Sequence, residues 1–183
     1  LGHAVLCAQP LINNEAFAVL LADDLIDSTI PCLKQMLAIY QEKQSTIIAV
    51  QATSPEESEQ YGIIGYKVKT GRLSQINNII EKPSHKEAPS NLAVVGRYIL
   101  NSTIFPYLST TAVGKGGEIQ LTDAIARQLQ DEIMHAWEFE GVRYDCGSKL
   151  GYLKATIAFA LKHPETKKPF TNYLKNFNTN SII

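Results

Sequence analysis

Apolar residues fill positions 16–21 without interruption, a run of strand length whose lack of alternation predicts a strand covered on both faces. The run ends in Ala22-Asp23-Asp24. Pro31 then stands where a first helical position belongs, and Leu33, Met36, Leu37 and Tyr40 recur behind it at helical spacing, with Asp27 or Ser28 as the expected cap. Residues 46–50 form a second buried-strand run. Strand, helix and strand in this order predict a parallel crossover unit. Beyond it the pattern becomes a hairpin, with residues 61–68, a Lys69-Thr70-Gly71-Arg72 turn, and residues 75–80. A strand is expected over 92–100, a helix through Leu121, Ile125 and Leu129, an alternating strand at His135, Trp137 and Phe139, and a helix over 151–161. Residues 1–7 read as an amphipathic helix. From Lys162 the chain turns polar, Pro164 and Pro169 interrupt it, and one short helix is expected near 170–177. No internal repeat, linker or low-complexity stretch breaks the pattern. The expectation is an α/β protein of one domain over 1–183, with a core over 1–163 and a tail over 164–183.

Composition sets limits on this picture. With 183 residues, 45% apolar and 19% charged, the chain can build one sizeable core. Its 17 basic and 18 acidic residues leave a formal net charge of -1, so there is no electrostatic footprint for nucleic acid or an anionic membrane. Any bound phosphate must be held by local groups. The apolar runs 16–22 and 155–161 are too short to cross a bilayer, and no secretory signal is visible. Cys7, Cys32 and Cys146 are odd in number, far apart and without a CxxC pair, which suits a reducing compartment and predicts a cytoplasmic protein. Because residue 1 is leucine rather than methionine, further sequence is expected upstream in the gene.

The chemistry centres on Glu81-Lys82-Pro83. A carboxylate beside an ammonium at the end of an apolar strand can accept hydrogen bonds from sugar hydroxyls while the ammonium holds a phosphate. The same residues also fit a surface ion pair before a turn-forming proline. Asp23, beyond the end of a strand, is placed to ligate a hard cation such as magnesium, which takes one or two carboxylates together with phosphate oxygens and water; a helix-capping aspartate is the alternative. Asp145 in Tyr144-Asp145-Cys146-Gly147 is a second such candidate, again with a cap or turn as the other account. Cys146 has no nearby histidine and reads as a small core residue. Gly62 and Gly96 lie inside strand patterns, where glycine allows a ligand or another backbone to approach. The Gly114-Lys115-Gly116-Gly117 stretch lacks the lysine-hydroxyl ending of a phosphate loop and reads as a flexible loop, with Glu118, Thr122 and Asp123 opening the next helix. Of the scattered histidines, His3 is the one placed to approach a base.

Taken together, Leu1-Gly2-His3-Ala4-Val5, Leu21-Ala22-Asp23-Asp24, Tyr61-Gly62, Glu81-Lys82-Pro83, Pro89-Ser90-Asn91-Leu92-Ala93, Val95-Gly96-Arg97-Tyr98, the stretch from Gly117 to Ile125, and Asp145-Cys146-Gly147-Ser148-Lys149-Leu150-Gly151-Tyr152 closely resemble the bacterial UTP-glucose-1-phosphate uridylyltransferases. The resemblance runs from Leu1 to about His163, and the last stretch favours this family over its thymidylyl and adenylyl relatives. It implies a nucleotide-diphospho-sugar transferase fold, Rossmann-like, in which a mixed, mainly parallel sheet is flanked by helices and carries an added sugar-binding β region. It also implies UTP and glucose-1-phosphate as substrates, Mg as cofactor, and a homo-oligomer. Carried over by position, Asp23 and Lys82 match catalytic residues, Asp23 and Asp145 metal ligands, and Gly2, Gly62, Glu81, Lys82 and Val94 substrate contacts. The family's glycine-rich G-x-G-T-R loop and its base-reading residues precede the point matched by Leu1. The chain therefore resembles the C-terminal two-thirds of such a domain and is expected to be weak or inactive alone. The competing expectations are a non-catalytic sugar-phosphate-binding or oligomerisation module on the same scaffold, or a thymidylyl or adenylyl transferase. The sharpest expectation is that Asp23 and the Glu81-Lys82 pair serve the same glycosyl phosphate.

Overall fold

The computed structural model describes residues 1–177, so the expected tail's positions 178–183 lie outside the described residues. In chain order the elements are α1 (Gly2–Cys7), β1 (Phe17–Leu20), β2 (Asp24–Asp27), α2 (Cys32–Lys43), β3 (Ile47–Ala52), β4 (Gly62–Thr70), β5 (Leu73–Glu81) and β6 (Leu92–Leu100). They continue with α3 (Ile104–Thr110), α4 (Leu121–Gln128), β7 (His135–Glu138), β8 (Val142–Asp145), α5 (Lys149–Ala160) and α6 (Pro164–Asn176). The chain divides into two compact units. One comprises Leu1–Leu21 and Ser28–Gly141, the other Ala22–Asp27 and Val142–Ile183.

The first unit is built on a six-stranded mixed sheet in the order β1-β6-β3-β7-β5-β4, and β4 also pairs with β6. Its apolar runs go where the pattern puts them. β6, flanked on both edges, is buried along nearly its whole length, and Ile47, Ile48, Ala49 and Val50 of β3 are buried on both faces. By alternation Ile48 and Val50 share a face with Val94, Tyr98 and Leu100 of β6. There they meet Val5 of α1, Ile104, Phe105 and Leu108 of α3, and Leu121, Ala124 and Ile125 of α4 in one core cluster. Each such fully buried aliphatic side chain contributes about 1.5–3 kcal/mol by leaving water. α2 packs on β3 and β6 and buries Met36 outside that cluster. The β4–β5 hairpin turns through Gly71 and Arg72, with Gly71 supplying a left-handed φ of 58°.

Three expectations need correction here. The sheet is mixed, but only β3–β7 is a parallel pair; β6 lies antiparallel between β1 and β3. β1 and β3 therefore run the same way, as a crossover requires, without being neighbours, because a strand from later in the chain is inserted between them. β1 is also not covered on both faces. It stands at the sheet edge, with Phe17 and Val19 partly buried and Ala18 and Leu20 exposed. Helix α2 starts at Cys32, with Pro31 at the N-cap rather than the first helical position and no side-chain cap: the Ser28 hydroxyl donates to Ile30 O instead, and Asp27 belongs to β2.

In the second unit β2 and β8 form an antiparallel ribbon that pairs Asp24 with Asp145 and Ile26 with Arg143. Helix α5 is capped by Ser148, whose hydroxyl accepts from Gly151 N–H at 3.0 Å. Gly151 is required there, since a Cβ would stand 1.8 Å from Asp145 O. The expected short helix at 170–177 is instead the 13-residue α6, which begins at Pro164 and runs through Pro169. Proline at the first helical position starts a helix rather than breaking it. The interior Pro169 sacrifices one backbone hydrogen bond, while Phe170, Tyr173 and Phe177 align their rings along the helix. Among the described residues no helix is long and apolar enough to cross a membrane.

Candidate active site

Strand register brings three of the expected sugar contacts into line within the first unit. Glu81, the last residue of β5, pairs directly with Gly62, the first of β4. On its other edge β4 pairs Ile63 with Ala93 and Ile64 with Leu92, so the next step along the ladder sets Gly62 beside Val94. Glu81, Gly62 and Val94 thus form a row across β5, β4 and β6. β3 occupies one edge of β6 from Leu92 to Ile99, while the opposite edge passes from β4 at Leu92–Ala93 to β1 at Arg97–Leu100. Val94 to Gly96 therefore face an interval between two partner strands, bridged by the Leu21 N–H to Gly96 O bond of 2.9 Å. The Gly96 carbonyl also accepts from Arg97 Nη1 at 2.7 Å, and the Val94 side chain is buried in the core.

Lys82 follows Glu81 with a φ of 48°, in the left-handed region, and its N–H donates to Tyr61 O at 3.0 Å. In a regular strand neighbouring side chains point to opposite faces, so an adjacent carboxylate and ammonium could not serve one ligand. The left-handed turn at Lys82 ends that alternation. Such a conformation costs a non-glycine residue about 1–3 kcal/mol and clusters at functional sites. Pro83 behind it is buried, and Ser58 Oγ lies within hydrogen-bonding range of its carbonyl at 3.5 Å.

The Glu81 carboxylate has a partner that the sequence did not single out for this role. Thr122, in the first turn of α4, donates its hydroxyl to Glu81 Oε2 at 2.6 Å. Gly62 makes this possible, because a Cβ there would stand 3.3 Å from that oxygen and 3.4 Å from the Thr122 hydroxyl. No spacing signal distinguishes Thr122 from an ordinary residue opening a helix. Gly2, also buried, donates its N–H to Ile119 O at 2.9 Å, and His3 lines a cavity of about 510 Å3 with Ala4, Val113, Glu118 and Ile119. The Lys115–Gly117 stretch is a short 3-10 turn, with both Gly116 and Gly117 at positive φ.

The two aspartates lie together in the second unit. Asp23 Oδ2 and Asp145 Oδ1 flank Gly147, at 3.3 and 3.1 Å from the point its Cβ would occupy. Gly147 N–H donates to Asp145 Oδ1 at 3.0 Å, and Cys146 N–H to Asp23 O at 2.7 Å, which ties the two segments by their backbones. Arg143 forms a buried ion pair with Asp24 and also approaches Asp145 Oδ2 at 3.9 Å. Asp24 is thereby turned to a structural task, while Asp23 is exposed. Among the described residues no group of three or more His, Cys, Asp or Glu is gathered to hold a metal. Two carboxylates without a full protein cage could hold a hard divalent cation that keeps further positions for water and phosphate oxygens.

The chain belongs to the nucleotidyl transferase family, whose model matches residues 1–160. It is similar to UTP-glucose-1-phosphate uridylyltransferases of Staphylococcus epidermidis, at 44% identity over 97% of this chain and 62% of the relative, and of Staphylococcus haemolyticus, at 46% over 96% and 61%. Among solved structures it is similar to a UDP-glucose pyrophosphorylase complexed with UDP-glucose, with a TM-score of 0.85 and 46% identity over 89% of this chain and 62% of that one. A UTP-bound UGPase from Acinetobacter baumannii gives a TM-score of 0.87 and 38% identity over 97% and 62%. The chain thus spans about three-fifths of the length of the relatives it matches.

Proposed function

We propose that the protein transfers a uridylyl group from UTP to glucose-1-phosphate, giving UDP-glucose and pyrophosphate. The observation that carries this reading is the row of Glu81, Gly62 and Val94, which sets a carboxylate acceptor beside the main chain of two strands, group types that sugar hydroxyls can bond. The presence of UDP-glucose and of UTP in two similar structures supports the substrate pair. A phosphate oxygen of glucose-1-phosphate attacks the α-phosphorus of UTP in line. The bond from that phosphorus to the oxygen bridging to the β-phosphate breaks, and pyrophosphate leaves with the bonding electrons. No protein nucleophile takes part, and catalysis rests on positioning and charge neutralisation. Glu81 accepts sugar hydroxyls, Gly62 and Val94 offer main-chain contacts, and the Lys82 ammonium neutralises phosphate charge, whereas the Gly2 N–H is already bonded to Ile119 O. Asp23 and Asp145 would hold the divalent cation, with magnesium expected, and that ion when bound supplies positive charge against the phosphate oxygens. The same reading takes the cytoplasm as compartment, which three free cysteines suit, and a homo-oligomer, which the family resemblance alone supports.

Isothermal titration of the chain with glucose-1-phosphate and with UDP-glucose should show binding that Lys82→Ala abolishes. Unchanged binding by Lys82→Ala removes Lys82 from the site. Absence of binding by the wild-type chain refutes the reading as a whole.

A further inference from the structure

We propose that Thr122 is a positioning residue for sugar recognition: its hydroxyl fixes one oxygen of Glu81 and so aims the other at the sugar. The inference rests on the reading of Glu81 as the acceptor for sugar hydroxyls. A glutamate at the end of a strand has three rotatable bonds, and an acceptor free to sample them pays for its ordering when it binds. Thr122 Oγ1 holds Oε2 at 2.6 Å, a short bond of the charge-assisted kind, and among the described residues Thr122 is the side chain that Glu81 hydrogen-bonds. The second oxygen, Oε1, has no protein donor among those residues.

Threonines further along helices bond differently, whereas Thr166, in the first turn of α6, also donates outside its own helix, to Ala160 O at 2.7 Å. Thr110, Thr156 and Thr171 each donate to the carbonyl four residues back, on Pro106 at 3.0 Å, Tyr152 at 2.8 Å and Lys167 at 2.6 Å. The corresponding carbonyl for Thr122 is Glu118 O, which accepts Gly114 N–H at 2.9 Å and precedes the helix. The Thr122 hydroxyl is directed to Glu81 instead. Thr122 is itself buried at 8% exposure, its branched side chain leaves few rotamers, and α4 is anchored on the sheet through Leu121 and Ile125. Gly62 completes the arrangement by leaving room for both groups. The carboxylate is therefore held by a rigid helix rather than by a mobile neighbour.

The test compares Thr122→Val, which keeps the shape and removes the hydroxyl, with Thr122→Ser, which keeps the hydroxyl. Binding of UDP-glucose and of inorganic phosphate, which lacks the sugar, is measured by titration calorimetry on the full chain, with thermal melting as a check on folding. Thr122→Val should bind UDP-glucose about tenfold more weakly and inorganic phosphate within twofold of wild type, and Thr122→Ser should restore UDP-glucose binding to within threefold. UDP-glucose affinity unchanged in Thr122→Val overturns the inference, as does an equal loss for both ligands or a Thr122→Ser variant as weak as Thr122→Val. These outcomes leave the functional reading standing. A wild-type chain that binds neither ligand overturns the functional reading and this inference with it.

Discussion

Replacing Arg143 by methionine should cost the second unit much of its stability. The guanidinium forms an ion pair with Asp24, and both side chains are nearly inaccessible, at 8% and 7% exposure, so solvent does not screen the interaction. Methionine keeps the length and apolar stem of arginine but removes the guanidinium that pairs with the buried Asp24 carboxylate. Breaking a buried pair in this way costs about 3–5 kcal/mol, against a total stability of about 5–15 kcal/mol for a typical domain. The pair lies in a ribbon of only two strands. In urea, with a slope of about 2 kcal/mol per molar, the loss corresponds to a midpoint lower by about 1.5–2.5 M. Circular dichroism at 222 nm should follow it, since α5 and α6 belong to the same unit. The double variant Asp24→Leu/Arg143→Met supplies the control: with both charges gone, at least half of the lost stability should return. A single variant costing less than about 1 kcal/mol, or a double variant as unstable as the single, would refute the claim that the pair is buried and mutually dependent.

Two further outcomes follow from the first unit. Gly62→Ala should weaken UDP-glucose binding several-fold in titration calorimetry while shifting the melting temperature by less than about 3 °C, because the added methyl at 3.3 Å from Glu81 Oε2 displaces a side chain rather than backbone. Burial pushes the Cys32 thiol up from 9.0 to about 11, against a smaller lowering by the Arg97 charge. The unfolded thiol loses its proton first, so this contribution to stability is fully present below pH 9 and is lost as pH rises towards 11; Cys32→Ala should flatten that part of a stability-against-pH curve measured by urea denaturation.

Much of this architecture is written in local pattern. The apolar residues on either side of Gly96-Arg97 in β6, the turn residues of the β4–β5 hairpin, and the helical spacing in α2 and α4 are each decided by a dozen residues or fewer. What local pattern cannot carry is partnership between distant segments. The insertion of β6 between β1 and β3 depends on residues about fifty positions further on, and the β2–β8 ribbon joins segments separated by most of the chain. Individually, Asp24 to Asp27 have neither the length nor the apolar alternation of a strand. The candidate site divides in the same way. Residue type and motif order named Asp23, Gly62, Glu81, Lys82, Val94 and Asp145, whereas the row across three strands and the hydroxyl of Thr122 arise only from register and helix placement.

The side of the sheet on which Glu81 emerges depends on a bulge. Ser74 and Ile76 are buried on the core side of β5, so strict alternation would carry Asn78 and Ile80 inward and turn Glu81 outward. The structure buries Ile79 instead, and Ile76 and Ile79, three residues apart, enter the same cluster. The ladder explains this, since Tyr66 pairs with Ile76 and Gly65 with Asn78, leaving Asn77 as an extra residue that resets the alternation. Gly65 is suited to the position, because a Cβ there would meet Asn77 Oδ1 at 2.9 Å. Once Ile79 faces the core, Glu81 two residues on faces the same way, towards the layer in which α4 lies. That is the side from which Thr122 reaches it, and the pairing of carboxylate and hydroxyl is thus a consequence of one additional asparagine in a nine-residue strand.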